Sequence, residues 1–201
     1  MQFTLTIVQS PGSLTTFREE QNVPERIMFR AGEATVEAMA KQFTDAMPEI
    51  LIGDVSGAVG QAFASMMGQS AGHTRMFAIR DCNQMVKPAT MMVPKVTIKD
   101  SATINLLGGV VQSATADAVL DCVIDGLLPR DQVNDLCIIA LIWLDPRAVK
   151  DPNLNQKDLY RTNYSAMKLA IKRAMNNEPS IDELIANRHK IKHYMFDPDG
   201  K

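Results

Sequence analysis

Residues 136–143 of this 201-residue chain read Leu-Cys-Ile-Ile-Ala-Leu-Ile-Trp, a segment without a charged side chain. Such a continuous apolar run is typical of a β-strand that is covered on both faces. Even when it is extended to Leu144, this apolar run is much too short to span a bilayer as a helix. The segment therefore predicts a buried strand in the core of a sheet.

An amphipathic helix is predicted after this strand, beyond the proline-containing loop 145–155. Its apolar and aromatic side chains recur at helical spacing, and basic side chains lie on the outside. The buried stripe is Tyr160, Tyr164, Met167, Ile171 and Ala174, and the outer residues are Arg161, Lys168 and Lys172. Ser180 and Glu183 have the spacing of a capping box, which predicts a short last helix.

The rest of the chain predicts further strands and helices in alternation. Strands are expected at 50–52, 76–80 and 95–98, and helices at 57–68 and from Asp100 to Gly126, interrupted at Gly108-Gly109. Strands that alternate with helices predict an α/β fold, built as a two-layer α+β sandwich.

The N-terminal 26 residues are set apart from this alternation. Phe3, Leu5 and Ile7 alternate with threonines, as in a half-buried strand, and a turn and a polar stretch follow. We predict an N-terminal extension over 1–26 and one domain over 27–201. The first residues lack the basic start of a signal peptide, which favours a cytoplasmic location.

The amino-acid composition disfavours some kinds of partner and of covalent crosslink. Hydrophobic residues make up 46% of the chain, and 21 Lys and Arg against 23 Asp and Glu give a net charge of -2. Proteins that coat nucleic acid or bind anionic lipid need a basic surplus, so we expect neither partner. Cys82, Cys122 and Cys137 are scattered without a C-x-x-C pair, which predicts reduced thiols.

The histidines do not predict a metal site. The chain has three, His73, His189 and His193. The last two are one helical turn apart, but the basic residues around them would repel a cation, so a solvated basic segment is favoured over zinc. We expect no metal.

Several segments taken in order resemble the formaldehyde-activating enzymes. Lys95-Val96-Thr97-Ile98-Lys99-Asp100, Gln112 and Gly126-Leu127-Leu128-Pro129 resemble the central block of that family. The segment 163–174 resembles its C-terminal helix, and Asn177-Glu178-Pro179 the end of that helix. The order and spacing of these segments, over about residues 47–180, carry the resemblance.

The resemblance implies a fold and an activity. Members of this family condense formaldehyde with tetrahydromethanopterin to methylenetetrahydromethanopterin, a lyase reaction of one-carbon metabolism. They adopt the fold of the second domain of ribosomal protein S5 and form ring-like homopentamers. The implied partners are therefore formaldehyde, tetrahydromethanopterin and further copies of the chain.

The resemblance also implies a pterin site. The family's lysine, threonine and glutamine match Lys95, Thr97 and Gln112, its acidic residue falls on Glu49, and its apolar residue falls on Phe77. These types suit a pterin, whose amide and amino edge pairs with carboxylate and carboxamide groups. An aromatic ring is suited to pack on the pterin face. Without the resemblance, an ordinary structural role in a strand is favoured for both Thr97 and Lys95.

This chain departs from the family at the catalytic position. Met47 stands where the family has its proton-donating histidine, and a thioether has no proton to give. Glu49 and His73 are the candidate substitutes, although a structural role for His73 is favoured. Three functions stay open: an enzyme of weak activity, a non-catalytic pterin binder or sensor, and a structural subunit of a mixed oligomer.

Overall fold

The computed structural model describes residues 26–69, 75–191 and 193. These residues form a mixed α/β protein with one five-stranded sheet. The predicted strand at 3–7 and His73 lie outside the described residues, and the boundary at residue 26 stays a prediction. The strands are β1 (Arg30–Glu33), β2 (Glu49–Asp54), β3 (Met76–Phe77), β4 (Ala89–Pro94) and β5 (Leu136–Ile142). The α-helices are α1 (Ala58–Gly68), α2 (Ser101–Leu106), α3 (Gln112–Ile124), α4 (Gln156–Asn176) and α5 (Ile181–Asn187).

The apolar segment that begins at Leu136 forms the central strand. The strand order is β1-β2-β5-β4-β3, in which β5 pairs antiparallel with β2 and parallel with β4. Every residue of β5 except Leu141 is buried. The prediction of a strand covered on both faces is confirmed for this segment.

The two faces of the sheet are covered to different extents. Ile52, Ile138 and Ala140 point into the main core, which they share with α3 and α4. The residues that alternate with these along each strand point to the opposite face of the sheet, where Cys137 and Ile139 pack against α1. We call these surfaces the α3/α4 face and the α1 face. Helix α1 adds a partial third layer that the two-layer prediction did not include.

The strand predicted at 95–98 is wrong. The fourth strand is Ala89–Pro94, and the Lys95 N–H donates to the Ile142 carbonyl at 2.8 Å, at the end of the ladder. Beyond this point β5 has ended, so the alternating residues 96–98 have no neighbouring strand with which to pair. Asp100 then caps α2, accepting a hydrogen bond from the Thr103 N–H.

The interruption predicted at Gly108-Gly109 is a widened turn and not a break. Residues Leu107–Val111 form a π-helical segment that joins α2 to α3 without ending the helix. Gly126 ends it as predicted, with φ at 76°. By length and composition, Ser101–Ile124 is the single described helix that could cross a membrane, and 44% of its most apolar window is buried within the protein.

Candidate functional site

Lys95 connects two of the predicted site residues. Its Nζ lies 2.6 Å from Glu49 Oε1 and 3.1 Å from the Met47 carbonyl oxygen, to both of which it donates hydrogen bonds. The side chain of Lys95 is 23% exposed and that of Glu49 is 56% exposed. The ammonium is therefore held over residues 47–49, and the carboxylate remains accessible from solvent.

The strand register puts this ion pair at one end of the α1 face. Glu49 is opposite Leu141 on β5, and Leu141 is opposite Val93 on β4. Because side chains alternate along each strand, these three residues share the face that carries Leu51 and Ile139. Leu141 is 36% exposed, whereas Val93 packs against the cluster under α1, so α1 leaves the Glu49–Leu141 end of this row uncovered.

Phe77 lies at the other side of the same face. It pairs with Met91 of β4, and its ring centroid is 5.9 Å from that of Phe63 on α1. Three strand spacings separate β2 from β3, which amounts to about 14 Å across the sheet. We call the surface between Glu49 and Phe77, floored by Leu141 and Val93, the open strip.

Gln112 is tied to the edge of this surface. Its Nε2 donates a hydrogen bond of 2.6 Å to the Phe77 carbonyl, which joins the first residue of α3 to the edge strand β3. The π-helical segment ends at the residue before Gln112. Such widened turns occur often at functional sites, because they re-aim the side chains that follow. Here the side-chain N–H of Gln112 is used to position Phe77.

Thr97 lies apart from these contacts. It is exposed and lines a cavity of about 470 Å³ together with Lys99, Thr103 and Lys150. Glu49, Phe77, Lys95 and Gln112 are not among the residues that line this cavity. The structure thus brings Lys95 to Glu49 and Gln112 to Phe77, and it places Thr97 beside a separate cavity.

Sequence reasoning missed the contact between Lys95 and residue 47. The two residues are 48 positions apart, and the contact is to the backbone carbonyl of Met47. Every residue has such a carbonyl, so the side chain at position 47 does not predict the contact. The sequence places Phe63 in a predicted helix but does not predict its pairing with Phe77, because that pairing depends on how α1 packs on the sheet. Within the described ranges, no group of three or more His, Cys, Asp or Glu side chains is arranged to hold a metal ion.

Comparisons with known proteins identify the family. A sequence model of the formaldehyde-activating enzyme (Fae) family matches residues 31–196. The chain is 42% identical over 167 residues to the bifunctional enzyme Fae/Hps of Methanosarcina mazei, which covers 83% of this chain and 41% of that protein. The Fae/Hps enzyme of Archaeoglobus fulgidus is 37% identical over 166 residues, which cover 82% of this chain and 40% of that protein. This chain spans about two fifths of the length of these relatives, and it belongs to the formaldehyde-activating enzyme family.

Proposed function

We propose that this protein condenses formaldehyde with tetrahydromethanopterin to give methylenetetrahydromethanopterin. The observation that carries the proposal is the Lys95–Glu49 ion pair beside the open strip, in a chain of the formaldehyde-activating family. A flat heterocycle with a polar edge suits a surface with charged groups at one end and an aromatic ring at the other.

In this proposal the open strip holds the pterin. Glu49 is exposed enough to accept hydrogen bonds from the amide and amino N–H groups of the pterin ring, in the plane of that ring. Leu141 and Val93 provide an apolar floor, and Phe77 limits the strip on the β3 side. Gln112 acts through the position of Phe77, and Thr97, which lines the separate cavity, is not assigned a contact in this site.

The chemistry needs a proton at one step. Formaldehyde adds to a pterin amine to give a carbinolamine, whose hydroxyl must be protonated to leave as water. The thioether of Met47 has no proton to give, but the Lys95 ammonium lies 3.1 Å from the Met47 carbonyl. We assign the proton to Lys95, which regains one when the second amine closes the ring. Glu49 accepts a hydrogen bond from this ammonium, so its role is to orient Lys95 and the ligand.

A non-catalytic binder is the second candidate. Met47 favours the binder. It stands where the family has a histidine, so the chain lacks a good proton donor at that position but keeps the open strip. Such a protein would bind or sense the pterin in the cytoplasm without turning it over.

We also propose that the protein assembles as a homo-oligomer. Membership of the formaldehyde-activating enzyme family implies that this oligomer is a ring-like pentamer. Several large apolar side chains, among them Phe29, Met67 and Ile124, are more than half exposed in the single chain, which is what an uncovered interface leaves. Light scattering at micromolar concentration tests this, and a stable monomer would contradict it.

The function is tested by binding and kinetics on the same preparation. Purified protein is titrated with tetrahydromethanopterin, formaldehyde is added, and methylene formation is timed against the spontaneous reaction. Saturable binding with acceleration supports the enzyme, and binding without acceleration supports the binder. Absence of both overturns the proposal. Glu49→Gln, which keeps the size of the side chain and removes its charge, is the matched variant.

A further inference from the structure

Helix α5 carries an apolar stripe that the rest of the described chain does not cover. Ile181, Leu184 and Ile185 have the i, i+3, i+4 spacing of one helix face, and their exposed fractions are 67%, 50% and 63%. None of the seven residues of α5 is buried. Because isolated helices shorter than about 12–15 residues are marginal in water, this helix needs a surface on which to pack.

The start of α5 is nevertheless strongly specified. Ser180 and Glu183 form the capping box that the sequence predicts, with the Glu183 N–H donating to Ser180 Oγ at 3.2 Å and the Ser180 N–H donating to Glu183 Oε2 at 3.1 Å. A helix with a defined start and an uncovered apolar face is the usual form of a segment that docks into a groove.

A groove of suitable chemistry lies along α4 and the end of α3. It has a volume of about 470 Å³, and its apolar lining comes from Leu127, Tyr164 and Leu169. Ile124, which is 78% exposed, precedes the groove residue Asp125 at the end of α3. We call this surface the α4 groove.

Unpaired charges on the two surfaces are opposite in sign. In the α4 groove, Lys168 is paired with Asp125 at 2.7 Å, whereas Lys172 has no ion pair within the described ranges. On α5, Asp182 has no ion pair there either. A contact between α5 and the α4 groove would therefore cover apolar surface on both sides and join one free cation to one free anion.

We propose that α5 of one copy docks in the α4 groove of a second copy, with Asp182 facing Lys172. Only four residues, 177–180, connect α4 to α5, and with this connection α5 stays exposed in its own chain. Because the donor and acceptor surfaces differ, the contact repeated head to tail closes a ring, whereas the contact exchanged between two copies gives a two-fold dimer. This inference rests on the proposed self-association and not on the proposed chemistry.

Cysteine crosslinking between two marked proteins tests the pairing directly. Cys82 is exposed, whereas Cys122 and Cys137 are buried, so Cys82→Ser provides the background. One protein carries Ile185→Cys and the other Leu169→Cys, and a short bismaleimide is added to each alone and to the mixture. We expect a crosslinked pair only in the mixture, and equal crosslinking of either protein alone would overturn the proposal. The double variant in one chain should form intermolecular products, and a purely intramolecular product would overturn the proposal.

Charge exchange tests the same contact without new cysteines. Lys172→Glu and Asp182→Lys should each lower the mass measured by light scattering at a fixed concentration, and the double variant should restore it. Lys157→Glu, on an exposed lysine at the other end of α4, is the matched control and should leave the mass unchanged. Ile185→Asp should lower the mass as well. An Ile185→Asp protein that stays fully oligomeric would overturn this contact and leave self-association in place.

Discussion

The two faces of the sheet come from the same strands, yet they differ in what covers them. On the α3/α4 face, Ile138 and Ala140 are fully buried under two long helices. On the α1 face, the neighbouring residue Leu141 is exposed, and Glu49 and Lys95 lie in the same uncovered region. The covered face accounts for stability, and the uncovered half of the other face provides room for a ligand.

The largest expected difference between the faces is in stability. Ile138→Ala should lower the free energy of unfolding by about 2–5 kcal/mol, because it leaves a cavity in a closed core. Leu141→Ala, on the same strand, should cost less than about 1 kcal/mol, since that side chain is already partly solvated. Urea unfolding of both variants measures the contrast, and equal losses would show that the α1 face is also closed.

A second prediction concerns catalysis on the open face. Met47→His introduces an imidazole beside Lys95, and general acid catalysis typically contributes about 10²–10⁴-fold. We expect faster methylene formation than with Met47→Gln, which has a similar size and no acid. The gain should fade as the pH rises through the imidazole pKa, near 6.5 in model peptides, because only the protonated ring donates. Equal rates at every pH, with pterin binding intact, would show that residue 47 does not face the reacting atoms.

Part of the protein's acid sensitivity is expected to come from Asp54, the last residue of β2. Hydrogen bonds from Ser56, at 2.6 Å, and from Arg26 lower the pKa of Asp54 from 3.8 to about 2. A lowered pKa in the folded state stabilises the protein at a pH above the unfolded value. This contribution is lost as the pH falls from about 4 to 2. Asp54→Asn should therefore weaken the pH dependence of unfolding in that window and leave it unchanged between pH 6 and 8.

How far the sequence predicts this structure depends on the range of each interaction. The buried strand from Leu136, the stop at Gly126 and the capping box at Ser180 depend on local pattern, and all three are confirmed. The strand at 95–98 failed because its alternating residues lie beyond the end of the neighbouring strand, which only the register shows. The contact of Lys95 with the Met47 carbonyl joins two strand ends and has no local signature.

The smallest expected effect is in thiol reactivity. Burial raises the pKa of Cys122 to about 12 and that of Cys137 to about 11, whereas Cys82 is exposed. Because the thiolate is the reactive form, iodoacetamide at pH 8 should modify Cys82 and spare the other two. Mass spectrometry locates the adducts: on the folded protein, an adduct on Cys122 would show that the α3/α4 face opens, and one on Cys137 that the α1 face opens.

The central claim, that a pterin binds beside the Lys95–Glu49 pair, is tested most directly by calorimetric titration with tetrahydromethanopterin. The parent should bind saturably. Lys95→Ala should lose about 1–3 kcal/mol of binding free energy, since Glu49 then lacks the hydrogen-bond donor that orients it toward the pterin. Lys157→Ala, on an exposed lysine of α4, should bind as the parent does. A Lys95→Ala protein with the affinity of the parent would contradict the account.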